Sequence, residues 1–165
     1  MMMNDVQILS EYIPGAIGKV VGLHATYYAR GWGFGLFFEA MVATELASFL
    51  SRFDERHDRF WIAVHSQRIV GSITIDGSEV ATKGAHLRWF ILDPDYQGKG
   101  IGNQLMGEAM RFCEEKKIQR VQLSTFAGLE SARHLYEKWG FKLVGEYESE
   151  TWGVRVREQK FEWVR

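Results

Sequence analysis

The sequence predicts an α/β fold of the mixed, α+β kind: one central sheet with helices on its faces, formed by residues 1–165 as a single domain. Three observations carry that prediction. Runs of strand length alternate with longer stretches of helical spacing. The strand–helix–strand stretch from Ala85 to Phe126 demands parallel neighbours, while the two-residue link Ser66-Gln67 reads as a hairpin. A length of 165 residues, 46% hydrophobic and 25% charged, suits one compact domain with a real core.

The elements follow in order. Val6 to Ile13 alternates well enough for a strand, and Pro14 suits the first turn of a helix. Ile17, Val20, Val21, His24 and Tyr28 mark a helical face to about Arg30, and Gly31-Trp32-Gly33-Phe34-Gly35 breaks it. Phe38, Val42, Glu45, Leu46, Phe49 and Leu50 mark a second helix ending by Phe53. Strands are expected over Phe60 to His65, Arg68 to Asp76 and Ala85 to Leu92, with Gly77 to Gly84 a loop. Ile101, Leu105, Ala109, Phe112 and Cys113 form the stripe of a helix running to Lys117. Val121 to Phe126 is a strand, and Leu129 to Trp139 is a helix closed by Gly140. Phe141 to Ser149 and Val154 to Trp163 are the last two strands, so the order is β-α-α-β-β-β-α-β-α-β-β.

Bulk properties exclude several classes of function. A net charge of −1 provides no general field for nucleic acid or an anionic membrane. A single cysteine, Cys113, forms no internal disulfide, and no Cys/His cluster has metal-ligand spacing, so no metal is expected. The start, Met1 to Asp5, has neither a basic nor an apolar signal region, and no apolar run approaches the roughly 20 residues of a membrane span. A cytoplasmic protein is expected.

The stretch Asp93-Pro94-Asp95-Tyr96-Gln97-Gly98-Lys99-Gly100-Ile101-Gly102 joins a strand to a helix. Its glycines let successive backbone N–H groups converge at the positive end of a helix dipole, a site for phosphate oxygens. The spacing is neither G-x-G-x-x-G nor G-x-x-x-x-G-K-[ST], which argues against a dinucleotide module or a P-loop.

Gln97-Gly98-Lys99-Gly100-Ile101-Gly102 resembles the Q/R-x-x-G-x-G/A acetyl-CoA signature of the GNAT superfamily of N-acetyltransferases. Ala132-Arg133-His134-Leu135-Tyr136-Glu137-Lys138-Trp139-Gly140-Phe141 is similar to that family's A-x-x-L-Y-E-K-x-G-F block. Leu87 to Ile91, Ser124 to Leu129 and Tyr27 to Phe34 resemble the acetyltransferase half of bacterial chains that begin with a MarR-type winged helix. The winged-helix half has no counterpart in these residues.

The resemblance implies a GNAT fold, with a mostly antiparallel sheet and one splayed parallel pair, and a set of roles. Acetyl-CoA is the expected co-substrate, without a metal. The amides of Gly98, Lys99, Gly100, Ile101 and Gly102 would cradle its pyrophosphate, with Gln97 bracing the loop. The backbone of Phe90, Ile91 and Leu92 would hold the pantetheine arm, with Leu129 and Ala132 beside it. Leu129 stands where many members have Asn, a departure that bears on the pantetheine contacts. Tyr136 matches the tyrosine that protonates the departing thiolate, although its stripe also reads as core.

For the base, His86 lies where histone-acetylating relatives place a glutamate; Glu39, His24 or a water chain are the alternatives. Tyr28, Trp32, Phe34 and Glu39 are candidates for the acceptor site. The expected acceptor is a small-molecule amine or a protein or peptide amine, with neither nucleic acid nor membrane as partner. The C-terminal strands could pair between subunits into a homodimer. A CoA- or acyl-CoA-binding sensor of the same fold, without turnover, is the alternative to an enzyme.

Overall fold

In the computed structural model, residues 5–165 are described. Met1 to Asn4, on which the expectation about a signal region partly falls, lie outside them. The elements are β1 (Gln7–Leu9), α1 (Ala16–Trp32), α2 (Leu36–Ser51), β2 (Arg59–His65), β3 (Arg68–Asp76), β4 (Ala85–Leu92), α3 (Ile101–Glu115), β5 (Arg120–Phe126), α4 (Glu130–Lys138), β6 (Lys142–Ser149) and β7 (Val156–Val164). The expected order holds throughout.

Differences from expectation lie at the ends of elements. The first strand is three residues long, because beyond Leu9 the chain leaves the sheet and Ile13 packs into the helical layer. Pro14 precedes α1 and does not sit in its first turn. The glycine that stops α1 is Gly33, with φ 71°; its N–H bonds to the Ala29 carbonyl, and the Phe34 N–H to the Tyr28 carbonyl. Ser66 and Gln67 both take positive φ, 49° and 66°, as a two-residue hairpin turn matching the strand twist requires.

The sheet has seven strands in the order β1-β2-β3-β4-β5-β7-β6. Every pairing is antiparallel except β4 with β5, which are paired only at Ala85↔Val121 and His86↔Gln122. Past His86 the two strands part, and the gap opens toward their C-terminal ends. That is where ligands enter an open α/β sheet.

A bulge in β4 lies beside the gap. Ser72 pairs with Ile91 and Thr74 with Arg88, leaving Trp89 and Phe90 together opposite Ile73. Trp89 takes φ 47°, costly for a bulky residue, and the Ser72 hydroxyl donates to its carbonyl at 2.7 Å. Across the bulge the alternation slips by one. Leu87 and Phe90 face α3, while Trp89 packs on the opposite face with α1 and α2.

The core has two layers. Leu105, Met106, Ala109 and Cys113 of α3 pack on one face of the sheet with Tyr136 of α4. Val20, Val42, Leu46 and Phe49 of α1 and α2 pack on the other with Phe60, Ile62 and Phe126.

Candidate active site

The loop after β4 is held from three sides. A short 3-10 turn, Pro94–Tyr96, is capped by the Asp93 carboxylate, which accepts from the Asp95 N–H at 2.9 Å. The Tyr96 hydroxyl and His65 Nδ1, both buried, share a 2.6 Å hydrogen bond that pins this turn to β2. Gln97 Nε2 donates to the Leu92 carbonyl at 3.3 Å, and Lys99 Nζ donates to the Asp95 carbonyl at 3.2 Å.

Gly98 and Gly100 take φ 74° and 85°, and a Cβ on either would meet no atom within 4 Å. Packing therefore does not require glycine there; the left-handed backbone and the open approach do. Gly100 is the N-cap of α3, with no side-chain cap and no acidic residue in the first turn. The helix thus presents its first N–H groups to whatever anion enters, and the cradle fits a diphosphate.

The loop borders a cavity of about 340 Å³ whose walls include Phe90, Ile91, Leu92, Gln97, Gly98, Gly100, Gly102, Leu129 and Ala132. Ile101 and Lys99, expected to contribute backbone amides of the same loop, do not border the cavity; the Ile101 side chain is buried in the α3 core, and Lys99 is exposed. Leu129 is the N-cap of α4 and supplies an apolar wall where an Asn would supply an amide.

A second cavity, about 440 Å³, opens on the α1/α2 face. Tyr28, Phe90 and Tyr136 belong to the walls of both, so the two cavities meet at the gap between β4 and β5. Tyr136 is 6% exposed, with the rings of Phe161 and Phe90 at 5.9 and 6.1 Å. Burial raises its pKa well above the ordinary phenol value, so it holds its proton. Tyr28 is shifted the same way by burial, and further by Tyr136 and Tyr27.

His86 borders the second cavity, its pKa lowered to about 4 by burial and next by the Arg88 cation. His24, buried with Nδ1 2.8 Å from the Val20 carbonyl, is lowered to about 4 mainly by burial. Both are neutral near pH 7. Arg88 stacks over Trp89 with 4.2 Å from guanidinium carbon to ring centre. It pairs with Glu45 of α2, and with Asp76 at 3.6 Å, while Asp76 also accepts from Arg52 at 2.8 Å. This chain of charges ties α2 to the sheet at the cavity edge.

Of the residues expected on the acceptor side, Tyr28 borders the second cavity. Trp32, Phe34 and Glu39 border neither cavity. Trp32 packs on Phe126, Phe34 is 3% exposed in the core, and Glu39 points outward from α2. Sequence reasoning misses Glu45, Trp152 and Glu158, which border the second cavity. Glu45 falls in a helical stripe and reads as part of it. Glu158 lies on an alternating strand whose burial depends on pairing with β6, which no local pattern announces.

A glycine loop with open N–H groups at the C-terminal end of a strand thus leads to a gap between two parallel strands and a second cavity beyond it. Residues 21–141 match the Acetyltransferase (GNAT) family, and the chain belongs to that family. It is similar to an N-acetylaspartate synthetase of Xenopus tropicalis, 35% identical over 89 residues, covering 54% of this chain and 32% of that protein. It is also similar to a spermine/spermidine N(1)-acetyltransferase of Bacillus subtilis, 34% identical over 70 residues, covering 42% of this chain and 46% of that protein. The chain thus spans less than half the length of these curated relatives. Among solved structures, an acetyltransferase from Streptococcus agalactiae superposes with a TM-score of 0.77 at 21% identity, covering 99% of this chain and 100% of that one, a likeness of fold. Among the described residues no helix is long and apolar enough to cross a membrane, and no group of His, Cys, Asp and Glu could hold a metal ion.

Proposed function

We propose that the chain transfers an acetyl group from acetyl-CoA to an amine by direct attack in a ternary complex. The observation that carries this reading is the meeting of the two cavities at Tyr136. One cavity has the diphosphate cradle at its outer end; the other gives an amine its own approach to the same point. A CoA-binding sensor would need only the first cavity, so the second favours turnover.

The glycine-loop amides and the α3 N-terminus bind the diphosphate, and the parted β4 backbone at Phe90, Ile91 and Leu92 orients the thioester arm. The amine nitrogen bonds to the acetyl carbon, the carbon–sulfur bond breaks, and the Tyr136 hydroxyl gives its proton to the departing thiolate. Burial keeps Tyr136 protonated before the reaction begins. The nitrogen loses its surplus proton past His86 to water, and the Tyr136 phenolate takes a proton back from water once the thiol has left. The His86 imidazole, with a pKa near 4, relays a proton and does not store it.

Free thiol release from acetyl-CoA over a panel of amines tests the reading. Amine-dependent release that collapses in Tyr136→Phe, with acetyl-CoA still bound, is the expected result. Tight acetyl-CoA binding without release for any amine would leave the sensor.

A further inference from the structure

Buried carboxylates in this protein show a contrast that bears on the acceptor. Three are buried among the described residues: Asp58, Asp76 and Glu158. Asp76 pairs with Arg52 at 2.8 Å and Arg88 at 3.6 Å, and Asp58 lies 3.8 Å from Arg52 and 2.9 Å from His57 Nδ1. Glu158, 3% exposed, has no such ion pair among the described residues. Its oxygens accept hydroxyl hydrogen bonds, from Ser149 at 2.7 Å, Thr151 at 2.8 Å and Tyr147 at 2.9 Å.

Those three hydroxyls come from β6 and the turn that follows it, and they favour the charged form. Burial alone would raise the carboxyl pKa; the hydroxyls of Ser149, Thr151 and Tyr147 outweigh it, and the net direction is downward. A buried negative charge is thus solvated by the protein yet left without a paired counter-charge.

That charge stands in the wall of the acceptor cavity beside Trp152 and Phe126, whose rings lie 5.7 Å apart, with Tyr28 5.7 Å from Phe126 on the other side. A cation seated there meets a carboxylate and aromatic faces together. The cavity's other charged groups do not fill the role. Arg88 is taken by Glu45 and Asp76, and His24 and His86 are neutral. Lys160, two residues along β7 and on the same face, is exposed and acts on Glu158 only through its more distant charge, the smallest of the influences on that carboxyl. Its long side chain makes it the competitor for this seat.

Resting on the reading of this cavity as the acceptor site, we infer that Glu158 seats a second positive charge of the acceptor, so that the preferred substrates are diamines or longer polycations. One nitrogen is held at Glu158 and the other reacts at the junction by Tyr136. An amine bearing a carboxylate on its far end would meet Glu158 as a like charge.

Calorimetric titration of the CoA-saturated protein tests this, with α,ω-diamines from propane to octane, matched monoamines, and ω-amino acids of the same lengths. The best diamine should bind about tenfold tighter than its monoamine, and the amino acid more weakly than either. Glu158→Gln should bring the diamine down to the monoamine. Lys160→Ala, an exposed change that leaves the fold alone, should tighten diamine binding a few-fold. Equal binding of diamine and monoamine to the wild type overturns the inference. So does a diamine advantage that survives Glu158→Gln or, should that variant not fold, no tightening in Lys160→Ala. Diamine binding as expected without any thiol release would sink the transferase reading and leave this site standing. Release with monoamines and amino acids as readily as with diamines would do the reverse.

Discussion

The donor and acceptor cavities share Tyr28, Phe90 and Tyr136 yet are built of different material. The donor side centres on one continuous stretch, the end of β4, the glycine loop and the start of α3, whose backbone amides carry the proposed binding, with α4 and Tyr27 and Tyr28 of α1 as its other walls. The acceptor side is side chains from α1, α2, β4, β5, β6, β7 and the β6–β7 turn, brought together only by the sheet. A backbone site tolerates a change of side chain but not of conformation. A side-chain site is retuned by single substitutions and carries the charges that titrate. One cavity is therefore suited to a fixed ligand and the other to a variable one.

The largest effect is expected where the two meet. Tyr136→Phe keeps the ring in its packing against Phe90 and Phe161 and removes only the hydroxyl. The kcat should fall about 100-fold, the usual scale for losing a general acid, with KM for acetyl-CoA nearly unchanged. Steady-state kinetics on both substrates check this. An unchanged kcat would show that the thiolate takes its proton elsewhere, and the shared wall would then be structural only.

The next effect separates the two materials by pH. His24 is neutral in the fold, with its pKa lowered from 6.5 to about 4, whereas an unfolded histidine binds a proton below about 6.5. Between those values the unfolded chain holds more protons, so stability falls as pH falls through this window. At pH 5 the loss from His24 should be about 2 kcal/mol relative to pH 7.5, by urea unfolding. His86, shifted the same way, adds to it. His24→Asn, which still has a donor for the Val20 carbonyl, should flatten the dependence. A wild type equally stable at both pH values would contradict the buried, neutral assignment.

A smaller, more local effect belongs to the donor side. Gly100 has φ 85° and empty space where a Cβ would go, so alanine there meets no clash but strains the backbone by about 1–2 kcal/mol. Gly100→Ala should raise KM for acetyl-CoA about tenfold and leave the acceptor's KM within twofold. Kinetics with each substrate varied in turn decide it. A change in the acceptor's KM as large as that in the donor's would mean the two sides are not separable.

This difference in material also explains what can be read from the sequence. The element order, the hairpin at Ser66-Gln67 and the helix over α3 are local, written in periodicity and in residues a few positions apart. The glycine loop is local too, so Gln97, Gly98, Gly100 and Gly102 are legible as a donor site from the order of residues alone. The bulge at Trp89 is not legible, because it is set by how β4 pairs with β3 and has no residue signature of its own. Nor is Glu158, whose neighbours Tyr147, Ser149 and Thr151 are seven or more residues away along the chain. The aromatic stretch from Tyr27 to Phe34 misleads in the opposite direction. It looks like a binding surface in one dimension, but Phe34 and Trp32 face Phe126 in the core layer.

Glu39 provides the finest test of that last point. It follows the aromatic stretch and sits in the first turn of α2, where a carboxylate favours the helix dipole whatever the site does. It is exposed and borders neither cavity, while Glu45, six residues on, borders the acceptor cavity and pairs with Arg88. Glu39→Gln should therefore change kcat and both KM values by less than twofold and lower stability by no more than about 0.5 kcal/mol, the scale of a charge at a helix N-terminus. Glu45→Gln removes the charge that Arg88 faces and should raise the acceptor's KM several-fold. If Glu39→Gln had the larger kinetic effect, the acceptor would enter along the outer face of α2, and the division between the two cavities would have to be redrawn.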